Sequence, residues 1–319
     1  MEKWAAIDIG SNTVQLLVVE REDAHFRPPL TDSVIKPGNT KNPLFSALRT
    51  TRLGASSKPG LLKKKRIEET VEALKEYHSL LSSLGVEKVR VIATSAVRDA
   101  ANAQLLLQAV RDSCGWQIEI LSGQEEARFS FFGAAASALA YGMNHIIVLD
   151  IGGNSSELIR WRKNRLSTIS ANVGAVRAHV AGWQINEIIE ALAFIDREED
   201  DDKAELIIGV GGTITTAAAL IMGCQEYDRK TVEGYCLKIE EVEELITILQ
   251  PLTIAERCAF SPLLERRGEI ICEGLLILVV FYRLLSLTEL KVSAGGVLEG
   301  CLWDLYQRGS FPRNEINHL

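Results

Sequence analysis

Residues 5–19 of this chain, Ala5 to Val19, read A-A-I-D-I-G-S-N-T-V-Q-L-L-V-V. Two runs of strand-forming residues flank a short polar turn, the pattern of a β-hairpin. The turn, Gly10-Ser11-Asn12-Thr13, opens with the residue that tolerates any backbone conformation and is otherwise made of hydrogen-bonding groups. Asp8 stands just ahead of it on an otherwise apolar strand. A carboxylate there is costly unless something pairs with it, and a metal ion would. Alone, the stretch is also compatible with an ordinary N-terminal hairpin. It recurs, however, at Ile146–Ile159, which reads I-I-V-L-D-I-G-G-N-S-S-E-L-I. Overlaid, Asp150 falls on Asp8, Gly152 on Gly10, Asn154 on Asn12 and Ser155 on Thr13. Two hairpins with one turn chemistry indicate a duplicated fold.

A chain of 319 residues exceeds one modest core, so two domains are expected. A content of 47% hydrophobic and 24% charged residues is that of a soluble globular protein and excludes disorder. The net charge of −7 argues against non-specific binding of nucleic acid; positive charge for a polyanionic ligand must be local. The 6 cysteines show no C-x-x-C spacing and read as reduced, buried thiols. Asp8 interrupts the N-terminal apolar run, so no signal peptide is expected and the expected location is the cytoplasm. The most apolar run, Gly274–Tyr282, is too short to span a bilayer and is expected to be a core helix. The 5 histidines have no ligand spacing, so no zinc site is expected.

Outward from the first hairpin, residues 28–60 read as loop, broken by Pro28, Pro29, Pro37, Pro43 and Pro59. Helical spacing follows over 61–84, a strand over 89–93, a helix over 99–113, a strand over 117–121 and a helix over 123–141. After the second hairpin come a strand over 166–171, a helix over about 178–194 and a solvated acidic run, 197–205. An apolar strand from Leu206 ends in Gly211-Gly212-Thr213 and a helix over 214–222, and strand 290–294, Gly295-Gly296 and a helix through 305 repeat the device. Strand, glycine pair, helix N-terminus lets a backbone approach a phosphate while the helix dipole faces the anion.

Six motifs occur in order: D-I-G-S-N-T (Asp8–Thr13), A-T-S-A-V-R-D-A (Ala93–Ala100), S-G-Q-E-E-A-R (Ser122–Arg128), D-I-G-G-N-S-S-E (Asp150–Glu157), G-A-V-R (Gly174–Arg177) and V-G-G-T (Val210–Thr213). Together they resemble the exopolyphosphatase / guanosine pentaphosphate phosphohydrolase family, in its short two-domain branch. The resemblance implies an α/β fold of two duplicated ribonuclease-H-like (actin-like ATPase) domains with an interdomain cleft. The expected domains are 1–123 and 124–319, with the last helix, about 297–308, free to pack back on the first. The family's second phosphate loop is usually G-G-G-S-T-E, against Gly152-Gly153-Asn154-Ser155-Ser156-Glu157 here. Asn tolerates left-handed geometry, so the loop is expected to keep its shape.

Hydrolysis of a terminal phosphoryl group needs a positioned water, a base and neutralised phosphate oxygens. The resemblance makes Glu126 the base, while Glu125 reads as structural. Asp8, Asp150 and Glu157 are the metal candidates, for Mg²⁺ or Mn²⁺. Glu157 has Gln15 as its counterpart, which suits an asymmetric site. Ser11, Asn12 and Thr13, with Gly152, Gly153, Asn154 and Ser155, are expected to form two backbone cradles for phosphates. Arg98 is expected on a non-bridging oxygen, because guanidinium matches phosphate geometry. Gly211, Gly212 and Thr213 offer a third anion contact; Arg177 and Arg267 are weaker candidates. The basic run Lys63-Lys64-Lys65-Arg66 reads either as a solvated helix surface or as a track for a chain-like polyanion.

The leading expectation is a Mg²⁺-dependent exopolyphosphatase acting on inorganic polyphosphate. A guanosine pentaphosphate phosphohydrolase is the alternative within the family. A sugar or acetate kinase of the superfamily, or a nucleotide sensor without turnover, stands further off. The expected partners include no nucleic acid and no membrane, and the apolar C-terminal helices leave room for a homodimer.

Overall fold

The computed structural model describes residues 2–21, 45–55, 60–86, 88–140, 143–195 and 204–308. Of the sequence readings, loop residues 28–44 and 56–59 and acidic residues 197–203 lie outside them.

The first hairpin joins β1 (Glu2–Ile9) to β2 (Thr13–Arg21), with Asp8 opposite Gln15 and Ile9 opposite Val14. Next come β3 (Phe45–Thr50), α1 (Lys64–Ser83), β4 (Lys88–Ala93), α2 (Ser95–Arg98), α3 (Ala103–Cys114), β5 (Ile118–Ile120) and α4 (Gly123–Ala140). The sheet runs β3-β2-β1-β4-β5, with β4 parallel to both β1 and β5. Alternation along β1 sends Ala5, Ile7 and Ile9 into a core with Leu74 and Leu81 of α1 and Leu106 and Val110 of α3. Trp4 and Ala6 pack on the opposite face, with Phe129 of α4. Asp8, in step with Trp4 and Ala6, belongs to this second face.

The second unit repeats the plan. It contains β6 (His145–Ile151), β7 (Ser156–Arg162), β8 (Arg165–Ala171), α5 (Ala175–Ala181), α6 (Ile185–Leu192), β9 (Leu206–Val210) and α7 (Gly212–Ile221). It continues through α8 (Arg229–Val232), β10 (Cys236–Lys238), α9 (Ile239–Leu249), α10 (Ile254–Phe260), α11 (Ile271–Leu284) and β11 (Glu289–Val292). Its sheet order is β10-β11-β9-β6-β7-β8. Omitting edge strand β10, the order and strand directions match those of the first sheet. The apolar run of 274–282 lies inside α11, in the core of this unit, as its composition requires.

The last described element is α12 (Val297–Arg308), which lies on β1 and β2. Leu298, Cys301, Leu302 and Leu305 complete the second face of the first sheet. Gly300 sits so close to the Phe129 carbonyl that no side chain would fit there. Buried Asp304 accepts from Arg90 at 3.2 Å and from Arg128 at 3.1 Å, and Trp303 stacks on Phe132 at 4.4 Å. Contacts therefore divide the chain into 1–133 with 297–319, and 134–296, where the sequence suggested one cut at 123/124. The first turns of α4, bearing Arg128 and Phe129, go with the first unit because they pack on its sheet and on α12.

Local differences have local causes. The stretch read as loop contains β3, an edge strand paired to β2 from Phe45 to Thr50, beginning two residues after Pro43. The helix expected over 178–194 is two helices, because Gly182 takes a left-handed backbone (φ 67°) that ends α5. The helix expected over 99–113 begins at Ala103. Asn102 instead bonds both ways to Leu62, through Leu62 N to its Oδ1 at 2.8 Å and its Nδ2 to Leu62 O at 2.9 Å.

Candidate active site

In the first turn Gly10 N donates to Thr13 O at 2.9 Å. The turn's carbonyls face the segment after β3: Asn12 O accepts from Thr51 N at 3.0 Å and Arg52 N at 2.9 Å, and Ser11 O from Gly54 N at 2.8 Å. The N–H groups of Ser11 and Asn12 donate to nothing among the described residues. Ser11, Asn12 and Thr13 are buried, and the Ser11 hydroxyl lies 3.4 Å from that of Ser95. Arg52 holds φ at 50°, uncommon for a residue with a side chain. Gly10 itself does not need a left-handed backbone. Its requirement is space, since a Cβ would stand 3.2 Å from Thr13 O.

The second turn closes the same way, Gly152 N donating to Ser155 O at 3.0 Å. Its carbonyls face the start of α5: Gly152 O accepts from Ala175 N, and Gly153 O from Val176 N at 2.7 Å and Arg177 N at 3.0 Å. Arg177 Nε also donates to Asn154 O at 2.8 Å, so this arginine braces the turn from behind. Gly174 is obligatory here, because a Cβ would lie 2.5 Å from the Gly153 carbonyl. The N–H groups of Gly153 and Asn154 donate to nothing among the described residues. Asn154 fills the usual glycine position without a left-handed backbone, which removes the conformational question raised by the sequence. Further along α5, His179 Nδ1 pairs with Glu273 Oε1 at 3.1 Å and Nε2 lies 3.7 Å from Glu269. The hydrogen bond to Glu273, with both acids' charge, raises the His179 pKa above its ordinary value, against its burial and the charge of Arg257.

Asp150 and Glu157 are direct cross-strand partners, so both carboxylates rise from one face of β6 and β7. Glu157, 2% exposed, accepts from Ser170 Oγ of β8 at 3.0 Å. Two facing carboxylates disfavour each other unless a cation or proton lies with them, and an all-oxygen pair suits a hard divalent cation. Among the described residues no group of three or more His, Cys, Asp or Glu is placed to hold a metal unaided. A hard divalent cation such as Mg²⁺ commonly keeps several waters beside one or two carboxylates, which such a pair would suit. Asp8, on β1 of the first unit, faces Gln15 instead.

Glu126 lies in the first turn of α4, 9% exposed, accepting from Arg98 Nη1 at 3.0 Å. The same Nη1 reaches Leu121 O at 3.0 Å, and Arg98 Nε is 3.5 Å from Asp99. Arg98 Nη2 has no partner among the described residues. Glu125 caps the helix, accepting from Ser122 N at 2.9 Å and Ser122 Oγ at 2.7 Å.

Gly211 (φ 90°) and Gly212 open α7, and a Cβ on Gly211 would stand 2.9 Å from Asp150 Oδ1. The Asp150 carboxylate thus rests at the N-terminus of α7, where the dipole favours it. Thr213 is buried with its hydroxyl against Gly274 of α11, so its side chain serves packing. Arg267 covers Gly212, makes no side-chain hydrogen bond or ion pair among the described residues, and is shifted below its ordinary pKa by burial. Of the basic run, Arg66 pairs with Glu69 at 2.6 Å and Lys64 lies 3.9 Å from Glu68; Lys63 and Lys65 are exposed.

The structure therefore gathers Ser11, Asn12 and Thr13 in one unit, where Arg98 also meets Glu126, and Asp150, Glu157, the 152–155 turn and Gly211 in the other. Sequence reasoning missed the segment Thr51–Gly54, Ser170 and the bracing role of Arg177. The only available signal was that turn carbonyls need donors.

The sequence profile of the Ppx/GppA phosphatase family matches residues 34–308. The chain is 27% identical to exopolyphosphatase 2 of Mycobacterium tuberculosis, over 94% of this chain and 97% of that protein. It is 24% identical to the guanosine-5'-triphosphate,3'-diphosphate pyrophosphatase of Aeromonas hydrophila, over 95% of this chain and 59% of that protein. Among solved structures it resembles the Ppx/GppA family member of Aquifex aeolicus, with a TM-score of 0.75 and 26% identity, covering 98% of this chain and 99% of that one.

Proposed function

The chain belongs to the Ppx/GppA phosphatase family, and we propose that it is an exopolyphosphatase, releasing orthophosphate from the end of inorganic polyphosphate. The observation that carries this reading is Glu126, a nearly buried carboxylate held by Arg98, whose Nη2 is left to meet a phosphate oxygen. Arg98 Nη1, 3.0 Å away, orients the Glu126 carboxylate, and a carboxylate so held can accept a proton from water. The water oxygen bonds to the terminal phosphorus, the anhydride P–O bond breaks toward the shortened chain, and the water's proton passes to Glu126. In the first unit the turn amides of Ser11 and Asn12, and in the second unit those of Gly153 and Asn154 with Gly211, Gly212 and Thr213, are each suited to phosphate oxygens. In the second unit Asp150 and Glu157 would hold a divalent cation, Mg²⁺ or Mn²⁺, which when bound would supply charge neutralisation on phosphate oxygens; Asp8 is the first unit's own candidate ligand.

A guanosine pentaphosphate phosphohydrolase would use the same attack. Identity is 27% to the exopolyphosphatase and 24% to the pyrophosphatase, and polyphosphate is the substrate we put first. A cytoplasmic homodimer that binds no nucleic acid completes the proposal. No helix among the described residues is long and apolar enough to cross a membrane. The test offers the protein, with Mg²⁺, short and long polyphosphate, guanosine pentaphosphate, and ATP with acceptor sugars. Phosphate release from polyphosphate supports the reading. Turnover of guanosine pentaphosphate alone would overturn it.

A further inference from the structure

The start of α1 departs from the usual charge pattern of a helix. Lys63, Lys64, Lys65 and Arg66 are consecutive cations in a protein whose net charge is −7. A helix dipole favours acids in the first turn and disfavours bases, yet the first turn of α1 holds no acid and Lys63, at the N-cap, makes no side-chain cap. Ion pairing does not explain the run either. Arg66 is bound to Glu69 at 2.6 Å, but the Lys64 side chain is 92% exposed and lies 3.9 Å from Glu68, a pair that contributes little. The side chains of Lys63 and Lys65 are exposed and have no hydrogen bond or ion pair among the described residues. Packing is carried by their buried neighbours, Leu62 and Ile67. Helix stability therefore does not account for the three lysines.

The lead into α1 is fastened to the segment that carries Arg98. Gly60 O accepts from Ala101 N at 2.8 Å, and Leu62 bonds both ways to Asn102. A Cβ on Gly60 would stand 3.5 Å from Asp99 O, and Asp99 lies 3.5 Å from Arg98 Nε. Lys63 follows Gly60 by three residues, at most about 11 Å of chain. The lysines thus stand on a fixed stretch of the first unit, next to the segment whose Arg98 holds Glu126. Exposed ammonium groups on flexible stems are point charges without a preferred geometry. They do not define a site for one phosphate; they raise the local concentration of a ligand whose charge repeats along its length. We propose that Lys63, Lys64 and Lys65 form a capture surface for the part of a long polyphosphate chain that extends beyond the reaction centre. The inference rests on the exopolyphosphatase reading and adds chain-length selectivity to it: long chains gain from the lysines and tripolyphosphate does not.

The experiment compares wild type, the triple variant Lys63→Gln/Lys64→Gln/Lys65→Gln, and a control that removes the same charge from exposed lysines of the second unit, Lys230→Gln/Lys238→Gln/Lys291→Gln. Phosphate release is measured with Mg²⁺ on tripolyphosphate and on long-chain polyphosphate, and long-chain binding by calorimetric titration. At low salt the α1 variant should lose about tenfold in long-chain affinity and kcat/KM, while staying within about twofold of wild type on tripolyphosphate. High salt should abolish the difference, and the control should match wild type throughout. The α1 variant's unfolding temperature should be unchanged or higher, since cations leave a helix N-terminus. Unchanged long-chain affinity in the α1 variant, an equal loss on tripolyphosphate, an equal loss in the control, or no long-chain binding by wild type would each overturn the capture surface. So would lysine-dependent binding of a single-stranded oligonucleotide that is tighter than that of long polyphosphate. If lysine-dependent long-chain binding appears while wild type releases no phosphate from any polyphosphate, the surface stands and the hydrolase reading falls. If wild type turns over polyphosphate and the α1 variant matches it on long chains, only the surface falls.

Discussion

The two turns close with one hydrogen bond, 2.9 Å from Gly10 to Thr13 and 3.0 Å from Gly152 to Ser155, yet their surroundings differ. The first is backed by an irregular segment, Thr51 to Gly54, and is edged with neutral donors left unsatisfied. The second is backed by a helix start, pinned by Gly174 and Arg177, and is edged by a facing pair of carboxylates. Duplication conserved the part that presents backbone amides and let the flanking chemistry diverge. A turn rimmed by neutral donors suits phosphate, and one rimmed by carboxylates suits a cation that itself binds phosphate. The comparison thus frames the proposal as a division of labour: the first turn is proposed to grip phosphate, and the second to carry the metal's share.

Glu126, the proposed base, belongs to neither turn, and its replacement is expected to have the largest effect. Glu126→Gln should lower the rate of phosphate release by about 10²–10⁴-fold while leaving the unfolding temperature near wild type. Retention of more than about a tenth of the rate would contradict its role as base. Gly174→Ala comes next, because it attacks the second turn where the first has no counterpart. A Cβ 2.5 Å from a backbone carbonyl forces a shift, so stability should fall by about 1–3 kcal/mol and activity with it. Gly10→Ala and Gly152→Ala, with Cβ contacts of 3.2 and 3.0 Å, should instead resemble each other. If Gly174→Ala behaves like wild type in denaturant titration, the bracing of the second turn has been misjudged.

The smallest effect is a pH dependence confined to the second turn's support. His179 has a raised pKa through Glu273, so its charged form favours the fold. That contribution is complete below the unfolded value of about 6.5 and is lost as pH rises through the higher folded value. Partial exposure limits it to about 1–2 °C in unfolding temperature, read by scanning pH in wild type and His179→Gln. The variant should lack the step.

Much of this division was legible in the sequence because strands have a period of two. Writing Asp150 and Glu157 around a four-residue turn already places them face to face, and the overlay with Asp8 and Gln15 shows which turn lacks the second carboxylate. Glu125's cap was legible too, since Ser122 stands three residues before it. What stayed hidden depends on tertiary approach. Arg98 meets Glu126 across 28 residues, Asn12 meets Thr51 across strand β3 in a proline-rich stretch, and Arg177 reaches Asn154 from α5. Gly182 and Asn102 broke helices whose apolar periodicity alone would have continued them, one by its backbone and one by its bonds to Leu62. Thr213, read from its motif as an anion contact, has its hydroxyl beside Gly274 of α11, a neighbour that periodicity could not name.

The division of labour is tested most directly by the Mg²⁺ dependence of phosphate release from tripolyphosphate in wild type, Glu157→Gln and Gln15→Ala. The account predicts that Glu157→Gln raises the half-saturating Mg²⁺ concentration by about tenfold or more, while Gln15→Ala leaves it within about twofold. Equal shifts in both variants, or no shift in Glu157→Gln, would contradict it.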